Sequence, residues 1–212
     1  RLHYRLTVYD NSAIQKVASK NIQIDLIDTL IYDFAMRDSY MDMMDEPNTQ
    51  AILDPRENNN WLSPDIWNRQ LQDGIEIPEN AEYFVSDSNY AYARVRNVGC
   101  ISTPSTAKLR MYWTKASTGE VWDADWTTAN FTNPQTANTY PAGRQITLSP
   151  IDIPAIDPGD VVIFNRGWQP VKPQFYDSTS TATDICLLAR IEETNTSPFG
   201  MTFPESIPSQ VN

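Results

Sequence analysis

Hydrophobic and polar residues alternate along several separate stretches of this chain, and that two-residue period sets the first expectation. In "RLHYRLTV", Leu2, Tyr4, Leu6 and Val8 alternate with Arg1, His3, Arg5 and Thr7. Successive side chains of a strand point to opposite faces, so the pattern predicts a strand with one buried side. "NIQIDLIDTLIYDF" alternates through Ile22, Ile24 and Leu26 and then turns continuously apolar, which predicts a second strand running into a third. "NYAYARVRNVG", "AKLRMYWTKAS", "DPGDVVIFNRG" and "TDICLLARIEE" follow, each bounded by turn-forming residues. Leu109, Met111 and Trp113 share one face of their strand. Arg94 and Arg96 alternate with Ala93 and Val95, which places them on a solvated or salt-bridged face rather than in an anion site. The run from Cys186 to Ile191 reads as a buried strand with Arg190 at its wet end. No stretch carries a helical period. The expected fold is therefore all-β.

Two long connections interrupt the strands. Positions 37–80 are rich in turns ("DEPN", "DPRENNNW", "SPDIW", "QDGIEIPEN"), and positions 123–158 include "NPQTANTYPAGRQ". Irregular segments of this length inside a domain are usually functional or packed down by their own aromatics. Trp61 and Trp67 flank a Ser-Pro-Asp turn, and their expected role is to clamp the first connection onto the sheet. Positions 1–30 form an amino-terminal strand segment, read as the tail of a preceding module, and 31–212 form the main domain.

Composition sharpens this outline. The chain has 212 residues with 16 basic and 27 acidic side chains, a net charge of −11 and a pI near 4.4. Nucleic acid and anionic membranes both need a basic footprint, so neither is an expected partner. No apolar run approaches the roughly 18 residues that span a bilayer. The chain opens at Arg1, already in a strand pattern, and stops at "PSQVN", which reads as a piece excised from a longer precursor. Fifteen prolines and 11% aromatic residues suit β-structure with long loops. Cys100 and Cys186 are either two buried thiols or one disulfide. With Trp113 between them they stand in the Cys…Trp…Cys order of an immunoglobulin-like sandwich, where a disulfide bridges the sheets. On that reading the fold is an immunoglobulin-like β-sandwich, the cysteines are paired, and the compartment is oxidising.

Five motifs extend the likeness: "RDSYMDMMDEPN", "NNWLSPDIWNRQLQDG", "NYAYARVRNVGC", "LRMYWTKASTGEVW" and "CLLARI". In this order they resemble an immunoglobulin-like module of large secreted and surface proteins of Bacteroidota-type bacteria. That module often accompanies peptidase domains or a type IX secretion sorting domain. The likeness spans about Asp33 to Ile191. The chain departs from it at Met43–Met44, where the family usually has a small residue, and at Asn68-Arg69-Gln70, where Val-Arg-Asn is usual. The resemblance implies a β-sandwich, an extracellular or cell-surface location, and an adhesive, spacer or accessory role. The partners it implies are other domains of the same precursor and an extracellular protein or glycan. It carries over no catalytic residue.

Candidate chemistry is narrow. The one histidine, His3, lies on the polar face of a terminal strand, and neither a Ser-His-Asp arrangement nor a zinc site can be assembled around it. Calcium is the leading metal candidate, because a hard cation takes six to eight oxygens from carboxylates and carbonyls on an adaptable loop. Asp38, Asp42, Asp45 and Glu46 offer such oxygens, with Asn48 beside them and Asp65 folding back to complete the set. The competing reading is a corner in which these side chains cap turn N–H groups. Trp122 and Trp126 in "EVWDADW" suggest a sugar-binding surface, against core or loop anchors. "NFT" at Asn130 and "NTS" at Asn195 match the N-glycan acceptor pattern, and "DTL" at Asp28 matches a short O-glycan pattern.

Overall fold

The computed structural model describes residues 2–9, 17–24, 32–40, 42, 44, 63–83, 89–116, 120–177 and 184–193. The chain divides into two compact units, Arg1–Ile31 and Tyr32–Asn212. In the first, β1 (Leu2–Tyr9) and β2 (Val17–Ile24) pair antiparallel with Leu2 opposite Ile24 and Tyr9 opposite Val17. Among the described residues no helix is long and apolar enough to cross a membrane.

The second unit is built from antiparallel strands in two main sheets. Its strands are β3 (Phe34–Ala35), β4 (Ile66–Arg69), β5 (Asn89–Asn97), β6 (Lys108–Lys115), β7 (Asn130–Thr132), β8 (Thr139–Pro141), β9 (Gly143–Gln145), β10 (Ile151–Asp152), β11 (Val161–Trp168) and β12 (Ile185–Glu192). One sheet runs β11-β5-β3, with β4 also on β5; the other runs β10-β6-β12, with β9 also on β6. A small β7-β8 hairpin and, among the described residues, the one-turn helices Ala124–Thr127 and Pro173–Tyr176 decorate them.

Alternation decides which side of each strand faces inward. Ala91, Ala93 and Val95 of β5 share a core with Leu109, Met111 and Trp113 of β6, Trp168 of β11, and Ala189 and Ile191 of β12. Both sheets contribute to one cluster, so they close over it as a sandwich. The small side chains of β5 leave room for indoles: Trp113 and Trp168 stack at 6.1 Å and 30°. Such a pair contributes about 0.5–1.5 kcal/mol beyond its buried area. Buried polar groups pair across the sheet, as where the Trp168 indole N–H donates to Asn68 Oδ1 at 3.0 Å.

The all-β expectation holds, as do the paired strands around 89–97, 108–115, 161–168 and 185–192. The connection expected over 123–158 is partly ordered into β7 to β10, each only two or three residues long and so too short for a period to register. Arg190 departs from its expected wet position. It is fully buried, its guanidinium lying 3.7 Å from the Trp122 ring.

The expected disulfide between Cys100 and Cys186 is not formed; both cysteines are free. Cys186 lies opposite Thr114, whereas β6 begins at Lys108, opposite Glu192. Cys100 sits in the link from β5 to the Lys108 end of β6, anchored there by Thr103 N–H on the Ile156 carbonyl. About 20 Å of strand separates the two ends, against a Cα separation of about 4.4–6.8 Å in a disulfide. Trp113 packs on Trp168 instead of on a cystine.

Burial, then the charges of Glu120 and Asp184, push the Cys186 thiol up, while Cys100 is exposed. Thiol titration of the native protein is therefore expected to show Cys100 reacting fast and Cys186 slowly, with both thiols free by intact mass. A mass two hydrogens short would overturn this geometry.

Candidate functional site

The site is built where one edge of β5 changes partner. Along that edge β3 covers Arg96 and Asn97, and β4 covers Tyr90 to Ala93. Both run antiparallel to β5, so β3 and β4 act as one edge strand interrupted by an excursion that leaves after Ala35 and returns at Ile66. Between them the Arg94 N–H donates to the Asp65 carbonyl at 2.8 Å, bridging the break.

Asp65 ties the neck of this excursion. Its side chain is fully buried. Oδ2 accepts from the Arg37 backbone N–H at 2.9 Å, Arg37 Nε at 3.3 Å and Arg96 Nε at 3.3 Å. Oδ1 accepts from Arg37 Nη2 at 3.1 Å, Arg96 Nη2 at 3.0 Å and Arg94 Nη1 at 3.3 Å. Ser63 completes the neck, its hydroxyl donating to the Arg37 carbonyl at 2.6 Å and accepting from the Asp65 N–H at 3.1 Å. Arg37 and Asp65 are 28 positions apart. Closing a loop of that length costs on the order of 3 kcal/mol in entropy, which charge-assisted hydrogen bonds of this number offset. Burial alone would raise the Asp65 pKa; hydrogen bonds from Arg96 and Arg37 outweigh it and hold the carboxyl below its ordinary value.

Arg94 carries the network outward. Its Nη1 is on Asp65, its Nη2 pairs with Glu76, and its guanidinium lies 5.3 Å from the Trp67 ring. Trp67 stacks flat on Tyr92, its cross-strand partner, at 5.2 Å and 9°. These groups hold the 70–83 loop by its backbone. Trp67 Nε1 donates to the Ile75 carbonyl at 2.9 Å, Arg69 Nη1 to the Ile77 carbonyl at 2.9 Å, and the Gly74 N–H to Tyr92 OH at 3.1 Å. Gly74 has φ +70°, a turn conformation in which a Cβ is strained. Arg69 forks onto Asp73 at 3.1 and 2.6 Å and also meets Glu79 at 2.8 Å. With its polar backbone turned inward, the loop displays Leu71 (67% exposed), Ile75 and Ile77 (67%), followed by Tyr83.

The expected site residues now separate. Asp65 leaves the calcium set: its six acceptor contacts are spent, and three guanidiniums repel a divalent cation. Asp42 accepts from the Asp38 N–H at 3.1 Å and the Met44 N–H at 2.6 Å, the turn-capping role that competed with calcium. Asp45 and Glu46 lie outside the described residues, as do Trp61, Asn195 and Asp28. Asp38 stays at the start of the acidic run, and among the described residues no group of three or more metal-binding side chains converges.

Trp122 is not a sugar platform. It is only 8% exposed, meets Tyr112 edge-on at 5.2 Å and lies beneath Arg190, a cation–π contact of about 2 kcal/mol when desolvated. Trp126 is part-buried on the one-turn helix Ala124–Thr127. Trp67 does clamp its loop as expected. Arg94 and Arg96 stand on a salt-bridged face, also as expected, but the carboxylate they share was assigned to a metal.

No protein-family model, curated protein or solved structure matches this chain.

Removing the Asp65 carboxylate leaves three arginines facing one another. Asp65→Ala is expected to cost about 3–5 kcal/mol in urea unfolding. Because the folded pKa is depressed, this stabilisation is present above the ordinary value of 3.8 and disappears as pH falls toward the lower folded value. The wild-type advantage over Asp65→Asn is therefore expected at pH 7 and is lost as pH falls below 3.8. A constant advantage across that range would show that the ion pairs contribute nothing.

Proposed function

We propose that the chain is a non-catalytic binding module of a larger secreted, cell-surface protein, and that it recognises its partner through the 70–83 loop. The observation that carries this reading is a loop held rigidly by its backbone while its aliphatic side chains face outward. Loops on a rigid scaffold are where binding residues concentrate, and an ordered display reduces the entropy cost of association. The loop has no basic residue of its own; Asp73 and Glu79 pair with Arg69 and Glu76 with Arg94, so Glu82 and the chain's net charge of −11 carry the attraction for a basic partner. This chemistry suits a polypeptide that presents apolar side chains flanked by Lys or Arg. A second copy of a chain with net charge −11 suits it poorly.

The extracellular location rests on the resemblance of the five motifs to the immunoglobulin-like module, which no family model supports. The free cysteines add nothing to it. A non-catalytic role is supported by the lack of an imidazole in the 32–212 unit. The inward-turned Trp122 weakens the reading of an accessory domain that targets a hydrolase to carbohydrate.

Biolayer interferometry of the isolated chain against a panel of basic and neutral extracellular polypeptides, with a glycan array alongside, tests the reading. Binding to at least one basic polypeptide is expected, and Ile75→Ser with Ile77→Ser is expected to weaken it tenfold or more, about 1.4 kcal/mol or above. Both side chains are exposed, so unfolding free energy should move by less than about 0.5 kcal/mol. Binding that is unchanged in the double variant, or turnover of peptide or glycoside substrates by the chain alone, would overturn it.

A further inference from the structure

We infer that Arg37 and Arg96 form a binding site for an oxyanion group, a carboxylate, sulfate or phosphate, carried by a ligand. This site is separate from the 70–83 loop and does not depend on its role. A guanidinium has two hydrogen-bonding edges, and its planar fork matches an oxyanion. Both arginines address Asp65 through the same edge. Arg37 uses Nε (3.3 Å) and Nη2 (3.1 Å), and Arg96 uses Nε (3.3 Å) and Nη2 (3.0 Å). Their second edges, Nη1 with the outer N–H of Nη2, have no hydrogen-bond partner among the described residues. The two side chains are 26% and 20% exposed, so those edges reach solvent while the inner edges are locked.

The charge balance points the same way. Arg94 is consumed by Asp65, Glu76 and Trp67. Asp65 then supplies one negative charge against the two of Arg37 and Arg96, and neither makes another ion pair among the described residues. Among the ion pairs of the described residues, an excess of one positive charge is thus left at a half-buried point of a strongly acidic protein. Of the acids near Arg37 in sequence, Asp42 caps two backbone N–H groups, and burial raises the pKa of the half-buried Asp33 carboxyl. The protein's overall field is screened within about 10 Å at 0.1 M salt, whereas a bound oxyanion lies in direct contact with the fork. The rigid positions matter most. Asp65 has already ordered two long side chains, so a ligand does not have to.

The test is an NMR titration of the full chain, following the Arg Nε–Hε cross-peaks with acetate, sulfate and inorganic phosphate at matched ionic strength, and with chloride as the reference. Saturable shifts of the Arg37 and Arg96 peaks are expected with at least one oxyanion and not with chloride, while the exposed Arg166 peak stays still. A response to acetate alone identifies a carboxylate-bearing ligand; a response to sulfate or phosphate identifies a tetrahedral one. Arg96→Lys keeps the charge but loses the fork, and is expected to weaken the anion roughly tenfold, as loss of one charge-assisted hydrogen bond does. Absence of a saturable shift with all three oxyanions in the wild-type protein would overturn the proposal, whatever the variant does. So would undiminished affinity in a folded Arg96→Lys.

Discussion

A buried carboxylate shared by three guanidiniums is the contact on which the rest of this domain's working face depends. Taking Asp65 out of water costs several kcal/mol unless it is fully paired. Here six donor contacts meet its two oxygens, from Arg37, Arg94 and Arg96. Each partner ties down something different. Arg37 closes the neck of the excursion that interrupts the edge strand, Arg96 belongs to the stretch of β5 that β3 covers, and Arg94 reaches on to Glu76 and Trp67. A single charge therefore couples the neck, the sheet edge and the loop, three features that sequence distance would leave independent.

The two sheets use their outer faces in opposite ways. Outside β6 and β12, Tyr112, Trp122 and Arg190 are buried together, and burial raises the Tyr112 pKa to about 12. That face is sealed by the 120–147 segment, and its aromatic and cationic groups stabilise rather than display. Outside β4 and β5 the covering segment is the 70–83 loop, held through its carbonyls so that its side chains point away. Both faces carry Trp, Tyr and Arg. The second leaves the aliphatic side chains of the 70–83 loop and the guanidinium edges of Arg37 and Arg96 in reach of a partner.

Much of this architecture was legible as pattern. Leu109, Met111 and Trp113 read as one face and line the core; Trp67 read as a clamp and bonds the Ile75 carbonyl. Arg190 is the exception: a cation at a strand end normally reads as solvated, and nothing local reveals that Trp122 covers it. Cys100 and Cys186 matched an order of residues, but order along the chain does not state which end of the sandwich each one occupies. Residues 70–83 were seen as turns, while their anchoring by Arg69 and Tyr92 rests on contacts that a pattern of turns does not specify.

The sequence by itself determined the long strands β5, β6, β11 and β12 and the inward faces of β5 and β6, because a two-residue period is a local property that burial of one side enforces. Only the tertiary structure decided what Asp65 does. Its partners stand 28, 29 and 31 positions away, and the pairing of β3, β4 and β5 brings them to it. Along the chain, a carboxylate aimed at a metal, at a backbone N–H or at an arginine has the same letter. Strand pairing determines which of them it meets.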